Sequence, residues 1–155
     1  MTVAASTPRW LTPAQLAAWV PFAELMFRLP AALDAQLQRD AGMSHFEYMV
    51  LAVLSGADDH TLRMSELAEM AGGSQSRLSH VVSRLERRGW VRREPCPGDG
   101  RITNAVLTRA GMDKLAQTAP GHVEKVRELV ADVLSERQFL ALGEISERVL
   151  ERLPR

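Results

Sequence analysis

Gln75, Ser76, Arg77, Ser79 and His80 place five hydrogen-bonding side chains within six consecutive positions. Arginine can grip guanine or a phosphate through two parallel bonds, and glutamine can pair with the edge of adenine. Serines and a helix N-terminus suit phosphate oxygens better. Ser74, directly before them, has the side chain of a helix N-cap. Arg84, Arg87 and Arg88 follow further along, where phosphate is the better match than a base edge. Arg93 and Arg101 flank a stretch rich in proline and glycine, and Asp99 stands close to Arg101. A carboxylate there would repel phosphate, so either Asp99 pairs with Arg101 and fixes its guanidinium, or it is a plain turn aspartate.

Other chemistries find less material. His45, His60, His80 and His122 show no i, i+4 pairing and no cysteine partner at zinc spacing. Asp58-Asp59-His60 reads as a solvated loop rather than a metal site. Gly72-Gly73 and Gly98-Asp99-Gly100 lack the strand-to-helix setting or the lysine of a phosphate-cradling loop. No nucleophile stands beside a base, so no enzyme, metal or cofactor is expected. Cys96, the single cysteine, cannot form an internal disulfide, although a thiol beside arginines has redox chemistry open to it.

The residues around these side chains dictate the elements that carry them. Thr12-Pro13-Ala14-Gln15 has the cap, the proline and the glutamine of a helix start, and apolar residues recur at helical spacing to about Asp40, with bends expected at Pro21 and Pro30. Gly42 ends that helix, and Ser44-His45-Phe46-Glu47 opens a second. Ser55 to His60 reads as a loop and Thr61-Leu62-Arg63 as a short extended piece. Ser65 to Ala71 forms a short helix closed by Gly72-Gly73. The next helix buries Leu78, Val81, Val82 and Leu85, spaced i, i+3, i+4, i+7, and turns everything between them outward. Trp90 to Glu94 and Ile102 to Leu107 alternate like strands around a six-residue tip, Pro95 to Gly100. Thr108 caps a helix with a bend expected at Pro120-Gly121 and a narrow seam of Val123, Val126, Val130 and Val133. Ser135-Glu136-Arg137-Gln138 starts the last helix, which presents Phe139, Leu142, Ile145, Val149 and Leu153. Short helix, glycine turn, donor-faced helix and basic hairpin, in that order, make a mainly α fold with a small β-hairpin wing: a winged helix-turn-helix.

Length and composition agree with one domain. The 155 residues are 46% apolar and 25% charged, with 19 basic against 19 acidic side chains, a mix that excludes a disordered chain. No run approaches the roughly 18 uncharged apolar residues of a membrane span, and Met1 to Arg9 lacks the order of a secretory signal, so a cytoplasmic protein without membrane contact is expected. Neutrality conceals an asymmetry. Between Ser74 and Arg101 seven arginines face three acids, leaving this segment at +4 and the remainder at −4. A basic segment in an acidic chain can attract phosphates locally.

These residues resemble the MarR family of bacterial transcriptional regulators over nearly the whole chain. The likeness is carried by Leu67-Ala68, by Ser76 to Arg88 ending in Leu85-Glu86-Arg87-Arg88-Gly89-Trp90-Val91, by Arg92-Arg93 and the Asp99-Gly100-Arg101 wing, and by Leu107-Thr108-Arg109-Ala110-Gly111. Gly73 and Gly100 depart from the pattern, the second where a basic residue is frequent. The resemblance implies a sequence-specific repressor that binds a palindromic duplex operator as a homodimer and is released by a small phenolic or anionic effector, or by thiol oxidation in some branches. Residues 44–108 would be the DNA-binding lobe, with contacts from Ser74, Gln75, Ser76, Arg77, Ser79, His80, Arg84, Arg93, Asp99 and Arg101. Residues 12–40 and 109–153 would be dimerisation helices, and they hold more apolar surface than one small module can cover. An effector cleft among Trp19, Phe22, His45, Phe46 and Tyr48 competes with plain core packing at the same residues, and the effector site stays unassigned. The alternatives are a redox-responsive regulator using Cys96 and a winged helix that grips another protein.

Overall fold

The computed structural model describes residues 8–153; of the Met1 to Arg9 stretch, residues 1–7 lie outside it. Helix α1, Pro13–Ala41, opens with the expected Thr12/Gln15 capping box and closes at Gly42. It runs through both Pro21 and Pro30 as one element. Helix α2, His45–Gly56, has the Ser44/Glu47 capping box, and it reaches further than the sequence suggested, absorbing Ser55 and Gly56. Asp58–His60 is a 3-10 turn rather than an open loop, with Asp59 and His60 at φ 51° and 53°.

Strand β1, Thr61–Arg63, leads directly into α3, Met64–Met70, and α4 spans Gln75–Arg87 behind its Ser74 cap. Strands β2, Val91–Cys96, and β3, Asp99–Leu107, form the wing. Two features of the sheet differ from the expectation of a lone hairpin with a long tip. β1 pairs with β3, so β3 is the central strand of an antiparallel sheet ordered β1-β3-β2. The strands also extend into the tip, leaving Pro97-Gly98 as the turn. Proline fixes φ for the first central position, and Gly98, at φ 91°, supplies a value other residues resist. Pro95 pairs with Thr103 but Cys96 pairs with Asp99, so Gly100, Arg101 and Ile102 bulge out of the ladder.

Helix α5, Arg109–Val126, passes through Pro120 and ends in a π-helical turn, Arg127–Ala131. Helix α6 spans Glu136–Leu150 and starts with the Ser135/Gln138 capping box. The core joins α2, α3 and α4 through Leu51, Leu54, Leu67, Leu78, Val82 and Leu85, all fully buried, and takes in Val91 and Leu107 at the base of the wing. The four apolar positions read from the spacing of α4 are its four buried residues. The outer helices are different. α1 buries only Leu33, Gln36 and Leu37, and α6 buries nothing among the described residues. Leu16, Trp19, Val20 and Phe22 stay exposed on α1, as do Phe139, Leu140, Ile145 and Val149 on α6. By length and composition α1 is also long and apolar enough to cross a membrane. Glu24 and Arg28 fall inside it, so it holds no uncharged run of about 18 residues.

Candidate nucleic-acid interface

The outward face of α4 is built from its cap. Ser74 Oγ accepts the backbone N–H of Arg77 at 3.2 Å, fixing the first turn and leaving other N-terminal N–H groups available to an anion. Gln75, Ser76, Arg77, Ser79 and His80 are all exposed. The side chains of Gln75, Ser76 and His80 make no hydrogen bond among the described residues. The Arg77 guanidinium carbon lies 4.2 Å from the centre of the Phe46 ring.

Arg93 is committed inward. Its Nη1 donates to Glu86 Oε2 at 2.8 Å, and its Nη2 donates to Ser79 O at 2.8 Å and to Ser83 Oγ at 3.1 Å. Its backbone N–H also donates to Glu86, at 2.9 Å. Residue 93 therefore clamps β2 of the wing to the middle of α4. Arg84 is similarly engaged, its Nε donating at 3.0 Å to Glu47, a carboxylate with only 4% of its side chain exposed. Burial alone would raise the Glu47 pKa; the Ser44 backbone N–H, the Arg84 bond and the charge of Arg88 outweigh it and hold the carboxyl below its usual value. Arg88 donates to Gly42 O at 3.0 Å and lies over Trp90. Arg87 is exposed and makes no ion pair among the described residues.

At the wing, Asp99 Oδ1 accepts both the backbone N–H and the Nε of Arg101, at 3.1 and 3.2 Å. The Arg101 side chain is 92% exposed. The two Arg101 bonds hold the Asp99 carboxyl below its ordinary value, and the charge of Arg63 adds to them. The pairing reading of Asp99 thus matches the geometry. A shallow groove runs between α4 and the wing, with Ser65, Gln75, Ser79, Arg93, Arg101 and Thr103 on its walls. Ser65 and Thr103 were not singled out in the sequence, because only the β1-β3 pairing brings the start of α3 beside the wing.

The residues weighed for a cleft divide. Tyr48 and His45 surround His122, with ring centres 4.3 and 5.7 Å away from it, and His122 Nδ1 lies 3.3 Å from Gln36 Oε1. Burial lowers the pKa of His122, and the neighbouring His45 lowers it further; burial also lowers His45, against the charge of Asp34. Phe46 faces α4 instead, and Trp19 and Phe22 pair with each other on the exposed part of α1. Cys96 is half-buried, its Sγ 3.7 Å from Pro97 O. No cluster of three or more metal-ligating side chains occurs among the described residues.

A MarR family profile matches residues 41–102, from the end of α1 to the wing bulge. The HTH-type transcriptional regulator MhqR of Bacillus subtilis is 30% identical over 109 residues, which cover 70% of this chain and 72% of that protein. The transcriptional repressor MprA of Escherichia coli is 28% identical over 112 residues, 72% of this chain but 63% of its own length; the match therefore spans less than two thirds of that relative. Among solved structures, a MarR family transcriptional regulator from Streptomyces coelicolor, determined in complex with DNA, is 49% identical with a TM-score of 0.91, covering 96% of this chain and 93% of that one. AbsC, from the same organism, is 35% identical with a TM-score of 0.85 over 93% and 97% of the two chains.

Proposed function

The chain belongs to the MarR family of transcriptional regulators, and from that premise we propose that it binds duplex DNA sequence-specifically as a homodimer and represses transcription from a palindromic operator. The observation that carries this reading is the first half of α4. It is capped, exposed and donor-rich, and among the described residues the side chains of Gln75, Ser76, Arg77 and His80 make no hydrogen bond. A helix presented in this way fits the major groove and reads base edges there. In this reading Gln75 and Arg77 read bases, while Ser74, Ser76, Ser79 and His80 engage phosphates or the groove wall. Arg101, aligned by Asp99, enters the neighbouring minor groove, where narrow A·T-rich DNA attracts arginine. Arg84 and Arg93 act from behind, holding α4 and the wing in register. The Streptomyces coelicolor relative, solved in complex with DNA, supports DNA as the partner.

A second copy of the chain is the cover that fits the exposed apolar residues of α1 and α6. Two-fold symmetry would repeat α4 about one DNA turn away. A membrane fits α1 less well, since Leu33, Gln36 and Leu37 in its last turns are buried against the rest of the domain, beside α2 and α5. DNA binding would place the protein in the cytoplasm. Release of the operator by a small phenolic or anionic effector, which the family resemblance implies, belongs to the same proposal, with no residue assigned to the effector.

Selection of bound fragments from random DNA, followed by anisotropy titration at several salt concentrations, tests the proposal. The expected result is an inverted repeat bound by two chains, with affinity falling steeply as salt rises. No enrichment, or affinity indifferent to salt, would overturn it in favour of a protein-binding winged helix.

A further inference from the structure

Phe46 carries a role that neither its apolar character nor the interface residues assign. It is 8% exposed on α2, and one face of its ring lies under the Arg77 guanidinium at 4.2 Å. The edge of the same ring fills the space beside Gly73, where a Cβ would come within 2.4 Å of Phe46 Cζ and 2.9 Å of Cε2. Gly73 does not have the positive φ that Gly72, at 70°, requires. Its missing side chain is therefore explained by room for the ring and not by backbone conformation. Gly73, Phe46 and Arg77 form one unit: the glycine admits the ring, and the ring carries the arginine.

The consequence for Arg77 is geometric. An arginine stacked on an aromatic face keeps its guanidinium in one plane while the in-plane N–H groups stay available at the edge. Bidentate recognition of a base needs that fixed fork, whereas a phosphate contact tolerates a swinging charge. Arg77 has no side-chain hydrogen bond among the described residues, so the ring is what orients it. We infer that Phe46 is a specificity-determining positioning residue, setting the plane in which Arg77 meets a base edge. This inference rests on the interface proposed above.

Operator selection and affinity titration on Phe46→Leu, Gly73→Ala, Arg77→Ala and the Phe46→Leu/Arg77→Ala double variant test it. Arg77→Ala identifies the operator position that Arg77 reads. Phe46→Leu, which keeps an apolar side chain but removes the ring, and Gly73→Ala, whose methyl displaces it, are each expected to reduce discrimination at that position about two- to five-fold, the scale of an exposed cation–π contact. The salt dependence should not change, and Phe46→Leu should have no further effect once Arg77 is alanine. In the free protein, NMR should show Arg77 side-chain protons shifted upfield by the ring and returned toward their ordinary positions in Phe46→Leu. Phe46→Met replaces the leucine variant if thermal unfolding shows the latter misfolded. An equal loss with and without Arg77, or a loss spread over all operator positions, would reduce Phe46 to a core residue and overturn the inference. A parent that binds no duplex overturns both this inference and the interface beneath it; a binding parent with an unaltered Phe46→Leu profile overturns the inference alone.

Discussion

Arg93 and Arg101 leave adjacent strands of the same wing with opposite commitments. The Arg93 side chain is 29% exposed and shares its N–H groups among Glu86, Ser79 and Ser83, whereas Arg101 is 92% exposed and has Asp99 as its one partner among the described residues. Replacing Arg93 by alanine strands a half-buried carboxylate and frees the wing from α4. A charge-assisted bond of this kind contributes roughly 1.5–3 kcal/mol when intact, so urea unfolding of Arg93→Ala should show a loss near the lower end of that range. Arg101→Ala should leave stability within about 0.5 kcal/mol of the parent, as substitutions at exposed sites do. It should instead weaken operator binding, most where the flanking minor groove is A·T-rich, and reduce the salt slope by about 1. Unfolding and salt titrations of the two variants together separate the roles; equal stability losses would refute the division.

At the scale of elements, the wing depends on a turn that confines its tip to Pro97-Gly98 and on a bulge that pushes Arg101 out of the ladder. Gly98→Ala would put a Cβ on a backbone at φ 91°, a conformation costing about 1–2 kcal/mol for an L-residue. Faster amide exchange is expected along the outer parts of β2 and β3, with α4 unchanged. Exchange spread evenly over the domain would contradict an independently yielding tip. This turn also marks where the sequence stops being legible. The buried stripe of α4 could be read because its period is local, and so could the three capping boxes of α1, α2 and α6. The composition of Pro95 to Gly100 signals a turn without saying how far pairing enters it, and β3 owes its central place to Thr61–Arg63, far back in the chain. The same limit applies to side chains. Gln75 to His80 were legible as an exposed set, but the Phe46 ring under Arg77, the Glu47 bond to Arg84 and the inward turn of Arg93 are contacts between separate elements, which no spacing encodes.

The whole molecule poses two questions of balance, apolar cover and protonation. α6 buries nothing within the described chain while exposing Phe139, Leu140, Ile145 and Val149, so its position is expected to depend on a second copy. Ile145→Glu should shift sedimentation from dimer to monomer and weaken operator binding, and an unchanged dimer would exclude α6 from the interface. Protonation acts at the junction of α1, α2 and α5. His122 and His45 both have pKa values lowered from 6.5 on folding, chiefly by burial. The unfolded chain therefore binds their protons more readily, and stability must rise with pH through the window just below 6.5. Their contribution is complete above that value and is lost as pH falls toward the folded-state pKa values. Glu47 adds a second, more acidic step. Its folded pKa lies below 4.5, so the stability it contributes above that value is lost as pH falls further. Urea midpoints measured from pH 8 to pH 3 should thus decline in two stages. His122→Asn should remove much of the upper stage and leave the lower one in place, whereas an upper stage that survives this change would assign the titration to groups outside the buried cluster.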